Sequence, residues 1–280
     1  MPRNSTARDQ ANMLEKCVRI LQAFRSGDQH LRLADLAQRT GMPKSTVHRL
    51  AAVLIDQRLL DQDDDGYQLG IALFELSSLV PVEHQLRLAA LPFLQDLFMA
   101  THETVHLGVR EGLDVVYVEK IHGHSDLGLP SRVGGRLPLN CTGIGKALLA
   151  FSSDEVRADF LSRPMRRITD KSTTDAARLT RELSEVRATG LAFEREEATI
   201  GRECVAAPVL VQGEVVAAMS ISVPVSAYRM PHLAAAVKTS ALGLSRYLRN
   251  AEEVRRTGGR SASREPGYRA APRVVEIRSR

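Results

Sequence analysis

Between residues 31 and 69 the apolar positions change their period, and the change predicts two short helices followed by a hairpin. Leu33, Leu36 and Ala37 recur at helical spacing. Gly41 then supplies the backbone freedom that ends a helix and turns the chain sharply. Pro43 fits the first position of a second helix, where its missing N–H costs nothing. The pattern therefore predicts two helices set at a steep angle.

The second predicted helix hides one stripe and exposes the opposite side of its first turns. The inward positions are Val47, Leu50, Ala51 and Leu54. The outward positions are Lys44, Ser45, Thr46, His48 and Arg49. Lysine and hydroxyl groups suit phosphate oxygens, whereas arginine and histidine reach base edges in a major groove. We predict that these five residues bind DNA. An ordinary solvated helix face is the alternative.

A short hairpin follows and makes the DNA-binding interpretation stronger. Strand-like residues 59–61 and 67–69 flank the turn Asp63-Asp64-Asp65-Gly66, and an Asp-Gly pair favours a tight hairpin. A helix-turn-helix followed by such a hairpin is a winged helix-turn-helix. Phosphate would repel the acidic tip, so we infer that the wing supports the fold more than it grips the DNA backbone.

The helix predicted after Gly70 is apolar around much of its circumference, and Pro81 ends it. A short helix this apolar should pack against another copy of the chain or against both domains. We take this to favour a homodimer, with a tetramer as the alternative. Helical character resumes from His84 to Ala100, where Pro92 marks either a kink or a new start.

From Thr104 onward the residue pattern predicts β-strands interrupted by helices. A hairpin is predicted over residues 104–121. Further strands are predicted at Leu127–Val133, Leu191–Glu196, Glu203–Val211 and Glu214–Val223. Helices are predicted at Gly145–Phe151, Ser153–Leu161, Asp175–Ala188 and His232–Arg249. Hairpins of this kind indicate an α+β domain with a largely antiparallel sheet.

Five segments of the chain form a recognisable set. They are LADLAQRTGMPKSTVHRLAAVL from Leu33, GYQLG from Gly66, LPLNCTGIGKALLAF from Leu137, RECVAAPV from Arg202 and MSISVP from Met219. In this order and spacing they resemble the IclR family of bacterial transcriptional regulators, and the similarity covers about residues 10–250. The resemblance implies a GAF-like effector-binding domain after the winged helix. We therefore expect a sequence-specific DNA-binding regulator, a repressor rather than an activator.

The resemblance also implies an effector pocket. The Gly143-Ile144 turn, Cys204 and the acidic Glu194 match residues that line the ligand cavity in IclR-like domains. Strand alternation sends Ser220 and Ser222 to one sheet face beside them, and Leu137 adds an apolar wall. Such a cavity suits a small organic or aromatic acid. The alternative is an ordinary sheet core with satisfied serines, in a DNA-binding protein with a ligand-free second domain.

Composition agrees with this organisation. The 280 residues carry a net charge of +5, and the pI near 9.3 suits a nucleic-acid partner. Much of the basic surplus lies in the last segment. We predict a DNA-binding domain at 1–70, a linker helix at 71–90, an effector-binding domain at 91–250 and a disordered basic tail at 251–280.

Neither a membrane-spanning run nor the apolar core of a signal peptide is evident, so we expect a cytoplasmic protein. The widely spaced Cys17, Cys141 and Cys204 argue against a disulfide framework.

One motif suggests an enzyme. Residues 102–106 match HExxH, the pattern of a zinc-dependent hydrolase using His102, Glu103 and His106. The β-branched residues that follow favour a strand, in which the two histidines would not share a helix face, and no third ligand is evident. Gly143-Ile144-Gly145-Lys146 lacks the residues of a phosphate-binding Walker loop, and we expect Lys146 to be structural. We therefore predict neither an enzyme nor a metal or other cofactor.

Overall fold

A computed structural model describes residues 5–25, 27–123, 129–225 and 230–261. The chain divides into two compact units, Met1–Leu88 and Ala89–Arg280. The first unit contains α1 (Ser5–Gln22), α2 (Leu33–Thr40), α3 (Lys44–Asp56), β1 (Leu60–Asp63), β2 (Gly66–Leu69) and α4 (Ala72–Ser77).

The core of the first unit is formed by the stripes that the periodicity predicts. Leu36 of α2 packs with α1 and with the predicted inward residues of α3, all of which are buried. Gly41 ends α2 in the left-handed region with φ 68°. The next helix starts directly after Pro43, whose carbonyl accepts the N–H groups of Thr46 and Val47. The helix-turn-helix is therefore confirmed.

Strands β1 and β2 form the predicted hairpin. They pair antiparallel, from Leu60 opposite Leu69 to Asp63 opposite Gly66. Tyr67 is buried, and its backbone exchanges two hydrogen bonds with Leu31 at 2.8 and 2.9 Å. The wing thus closes over the helical core rather than projecting freely.

Helix α5 (Pro81–Thr101) follows α4 and continues through Pro92 without a break, so Pro92 is not a new helix start. The remaining elements are β3 (Thr104–Glu111), β4 (Asp114–Ile121), β5 (Arg136–Pro138), a 3₁₀ turn (Leu139–Cys141), α6 (Gly143–Phe151), α7 (Asp154–Ser162), α8 (Ala176–Thr189), β6 (Ala192–Arg195), β7 (Arg202–Val211), β8 (Glu214–Pro224) and α9 (Met230–Ser261).

The second unit is built on a six-stranded sheet in the order β5-β4-β3-β8-β7-β6. Every neighbouring pair in it is antiparallel, which confirms the predicted α+β class. Helix α6 covers one face, where Ile144 and Leu148 pack with Ala206 and Ala218. Helix α9 packs against β7 and β8. The sheet and α6 together form the floor and roof of the pocket described below.

Two expectations need correction. No strand forms at the predicted position 127–133 within its described part, because Pro130 lacks a backbone donor and a turn at Gly134 (φ 74°) follows. The strand that forms in this part of the chain is β5, at Arg136–Pro138. Helix α9 extends to Ser261, past the predicted start of the tail at residue 251, since Ala251 and Glu253 favour helix. Residues 262–280 lie outside the described part of the chain.

Of the helices in the described ranges, not one is both long and apolar enough to cross a membrane.

Candidate functional site

The first candidate site is the exposed side of α3. Lys44, Ser45, His48 and Arg49 are exposed, and Thr46 is half-buried. The first turn of α3 contains no acidic residue, so the partial positive charge of the helix N-terminus is not neutralised there. Arg49 lies on the flank of α3 nearest α1, since its charge acts on the Cys17 thiol and limits the rise in the pKa of Cys17 that burial causes.

The acidic turn of the wing, residues 63–66, is ordered by hydrogen bonds to the Asp63 carboxylate. The Asp63 carboxylate accepts hydrogen bonds from the N–H groups of Asp65 and Gly66 at 3.0 and 3.1 Å. It also lies 2.9 Å from Nε2 of His30. Backbone hydrogen bonds and His30 keep the pKa of Asp63 below its usual value although desolvation opposes them. Asp63 therefore stabilises the turn, whereas Asp64 and Asp65 remain exposed.

The second candidate site is a pocket between the sheet and the start of α6. About 400 Å³ of space is free of protein atoms there, counting the open mouth. All seven residues predicted to bind an effector line it, namely Leu137, Gly143, Ile144, Glu194, Cys204, Ser220 and Ser222. The structure thus brings together residues that lie up to 85 positions apart, from 137 to 222. Effector binding by them stays a prediction.

Register explains why the strand residues meet. Cys204 is paired with Ser222, and Glu194 is paired with Cys204 across the next ladder. Because directly paired residues point to the same face, their side chains form one row under the pocket. Thr104 and His106 extend the row, opposite Ser222 and Ser220 respectively.

The glycines before α6 let its first turn approach the sheet. A Cβ at Gly143 would lie 3.1 Å from Sγ of Cys204. A Cβ at Gly145 would lie only 2.2 Å from the carbonyl oxygen of Leu139. Thr142 caps the helix, with its hydroxyl oxygen accepting the N–H of Gly145 at 2.9 Å. The glycine pattern that suggests a phosphate loop therefore serves close packing of a helix start.

Lys146 of α6 is not among the residues that line the pocket. Its side chain is 2 % exposed, and its Nζ forms ion pairs with Glu197 and, at 2.8 Å, with Glu182 of α8. The other carboxylate oxygen of Glu197 accepts the N–H of Thr173 at 3.0 Å. The expectation that Lys146 is structural agrees with this buried network.

Glu194 is the acidic group of the pocket. It is 6 % exposed. Its Oε1 accepts the N–H groups of Glu197 and, at 3.1 Å, of Ala198. Burial raises the pKa of Glu194 to about 7, although the two N–H groups lower it, and the nearby Glu197 charge adds to the rise. Cys204 is half-buried, and desolvation of its thiol together with the Glu194 charge raises its pKa to about 12. Cys204 is therefore a neutral thiol, in agreement with an unreactive pocket residue.

The structure adds pocket residues that the sequence interpretation did not assign to a ligand. They are His106, Tyr117, Leu129, Pro130, Ser131, Thr142, Ala198, Thr199 and Arg202. Arg202, two positions before Cys204 in the same RECVAAPV segment, places a cation at the pocket. His106 contacts Ser131 through Nε2 at 2.8 Å and Ser220 through Nδ1 at 3.4 Å.

The HExxH motif does not form a shared helix face. Its first histidine, His102, lies between α5 and β3 with φ 57°, and the second, His106, lies within β3. The strand that the β-branched residues predict is therefore confirmed. In the described ranges no group of three or more His, Cys, Asp and Glu residues is placed to hold a metal ion.

The combination of a winged helix-turn-helix with a pocketed antiparallel domain defines a two-domain transcriptional regulator. The family described as IclR helix-turn-helix domain matches residues 13–64. The family described as bacterial transcriptional regulator IclR C-terminal matches residues 80–246. The chain belongs to the IclR family of transcriptional regulators, as its sequence motifs predict.

Similar proteins include regulators and a ligand complex. The chain is 33% identical over 244 residues to the HTH-type transcriptional regulator KdgR of Escherichia coli, covering 85% of this chain and 92% of that protein. It is 29% identical over 220 residues to the HTH-type transcriptional repressor AllR of the same organism, covering 77% and 81%. An IclR homolog from Microbacterium hydrocarbonoxydans, solved in complex with 4-hydroxybenzoate, superposes with a TM-score of 0.76 at 29% identity, covering 85% of this chain and 99% of that chain.

Proposed function

We propose that the chain is a homodimeric, cytoplasmic repressor whose affinity for operator DNA changes when a small organic or aromatic acid occupies the pocket. The observation that carries the proposal is that all seven residues predicted for an effector line the same pocket. Relatives named as a repressor and as a 4-hydroxybenzoate complex support it.

The exposed residues of α3 suit the DNA-binding half of this function. Lys44 and Ser45 stand at the helix start, where backbone N–H groups and positive charge favour a phosphate. His48 lies one turn further along the same exposed side. A recognition helix enters the major groove in this orientation, with its N-terminal half against base edges.

The pocket suits a carboxylic acid. Arg202 and the start of α6 offer positive charge, and Ser220 and Ser222 offer hydroxyl groups. Leu137 and Ile144 provide the apolar wall that an aromatic or short aliphatic body requires. Pockets with a few placed polar groups in an apolar lining are typical of small-molecule sites.

A second copy of the chain would cover an apolar surface around α4. Phe74 is 70% exposed and Leu79 is 74% exposed. Ile71 and Leu76 are also exposed. Side chains of this size clustered at one surface mark an association site, and paired recognition helices need a dimer to meet two half-sites about one DNA turn apart.

The effector acts by population shift in this proposal. A ligand that binds one state of the regulator more tightly increases the share of that state. A coupling free energy of about 1–3 kcal/mol would change operator affinity from several-fold to about a hundred-fold.

Two measurements test the function. Replacing Lys44, Thr46 and Arg49 together by alanine should abolish the gel shift of a fragment that contains the protein's own promoter. A matched control removes two positive charges elsewhere, by Arg181→Ala with Arg187→Ala on the exposed side of α8, and should leave the gel shift intact. Intact promoter binding by the triple variant would refute the assignment of α3.

The ligand half has its own test. A thermal-shift screen with small organic acids should raise the melting temperature, because a ligand that binds only the folded state stabilises it. The responding acid should change promoter affinity in the same gel-shift assay. Promoter binding that no acid in the screen alters, with no thermal shift, would favour a DNA-binding protein whose second domain is ligand-free.

A further inference from the structure

Glu194 is placed so that only one of its oxygens faces the ligand space. Its Oε1 is held by the N–H groups of Glu197 and Ala198, which fix the carboxyl at the end of β6. Among the described residues Oε2 has no hydrogen-bond partner, while the side chain lines the pocket. Oε2 is therefore the oxygen that can meet a ligand.

The cation next to Glu194 is already paired with two other carboxylates. Lys146 is the cation that lowers its pKa, but the ammonium group already forms ion pairs with Glu197 and Glu182. Glu182 has a second cation in Arg178, at 2.9 Å from its Oε1. Glu197 has Lys146 and the Thr173 N–H. Glu194 has no ion-pair partner among the described residues and is held by backbone N–H groups alone.

Two further titratable groups beside Glu194 add no positive charge. Tyr117 of β4 is buried and Cys204 of β7 is half-buried beside Glu194; desolvation raises the pKa of each, and the Glu194 charge adds to both rises. They are therefore neutral at physiological pH. Arg202 of β7 and His106 of β3 line the same pocket. An anionic ligand that enters would add another negative charge beside the Glu194–Glu197 pair.

A proton removes the conflict, because a neutral carboxyl donates where a carboxylate repels. We propose that Glu194 binds the effector's carboxylate as the neutral acid, with Oε2–H as the donor, so that one proton is taken up with each molecule of anionic effector. The proposal rests on the pocket being the effector site. It makes Glu194 the residue that selects a carboxylate over a cation or an amine, which would instead bind the ionised form.

The test is binding of benzoate, 4-hydroxybenzoate, acetate and pyruvate to the full-length protein between pH 6 and pH 8.5. These carboxylates stay ionised over this range, so a pH dependence reports a group of the protein. With the Glu194 pKa at about 7, the apparent Kd of the tightest probe should weaken about 30-fold across the range. Titration calorimetry in buffers of different ionisation enthalpy should show net uptake approaching one proton near pH 8.

The variant Glu194→Gln keeps the hydrogen-bonding geometry of residue 194 but removes its titrating proton. Its amide can keep the two backbone hydrogen bonds and donate to a carboxylate, but it cannot ionise. The variant should bind the same probe with a Kd that is flat with pH, and tighter than the natural protein at pH 8.5. Glu214→Gln, at the exposed start of β8, is the matched control and should keep the full pH dependence.

The outcomes distinguish this inference from the function on which it rests. Carboxylate binding that is independent of pH, with no proton uptake by the natural protein, overturns the inference and leaves the effector pocket standing. Loss of carboxylate binding in Glu194→Gln at every pH also overturns it, since the ionised form would then be required. Binding of none of the four probes by either protein at any pH overturns both.

Discussion

The burial of Glu194 predicts an unusual pH dependence of stability in the ligand-free protein. Its pKa rises from 4.5 in the unfolded chain to about 7 in the folded chain, so the folded state holds the proton more tightly. The stabilisation is fully present below pH 4.5 and is lost as the pH rises through 7. Each pKa unit corresponds to about 1.4 kcal/mol, which gives a loss of about 2–3 kcal/mol between pH 5 and pH 8 from this group.

Glu194→Gln should remove that loss because glutamine does not titrate. We measure the free energy of unfolding of both proteins by urea denaturation with circular dichroism. The value for the variant minus the value for the natural protein should increase by about 2–3 kcal/mol from pH 5 to pH 8. The comparison uses the change in the difference between the two proteins, so titrating groups that both share cancel.

Glu214→Gln serves again as the reference, since its side chain is exposed. It should run parallel to the natural protein over the whole range. Parallel curves for Glu194→Gln as well would show that the folded state does not hold a proton on Glu194, and the reasoning about its burial would be refuted.

Three further changes test the architecture of the two sites. Gly145→Ala should lower stability by about 1–3 kcal/mol in thermal unfolding, because the new Cβ would meet the Leu139 carbonyl at 2.2 Å; an unchanged melting temperature would show that α6 can shift freely. Lys146→Met should cost about 3–5 kcal/mol by leaving Glu182 and Glu197 without their shared cation. Adding Glu197→Gln should recover part of that loss in urea unfolding, and strict additivity would argue against the ion pair. Lys44→Ala should reduce the slope of log K against log salt for promoter binding by about 1; an equal slope would mean that Lys44 contacts no phosphate.

Local patterns predicted most elements because their causes are local. The inward stripe of α3 follows from period alone, and Gly41 ends α2 where only a left-handed residue fits. The Asp-Gly turn likewise fixed the wing hairpin. The strand prediction at 127–133 is wrong because Pro130, which lacks an N–H donor, and the turn at Gly134 outweigh the strand preference of the apolar residues there.

Family motifs in the sequence predict some of the pocket residues, but not those that depend on long-range strand pairing. His106 joins it through pairing of β3 with β8, which places it opposite Ser220, 114 positions away. Short-range periodicity contains no information on such pairing. The HExxH spacing around His106 instead suggests a zinc-dependent hydrolase. The buried contacts of Lys146 with Glu182 and Glu197 could not be derived either, because they depend on α6, α8 and the turn after β6 meeting in space.

The acidic wing constrains how the first unit can meet DNA. Asp61, Asp64 and Asp65 are exposed at or near the hairpin tip, and each would be repelled by a nearby phosphate. The attraction must therefore come from elsewhere in the unit. Helix α3 offers it, since its first turn combines Lys44 with unneutralised backbone N–H groups. The salt dependence of promoter binding should then reside mainly in α3, and neutralising Asp64 and Asp65 should strengthen binding without sharpening its sequence preference, because phosphate contacts do not distinguish bases.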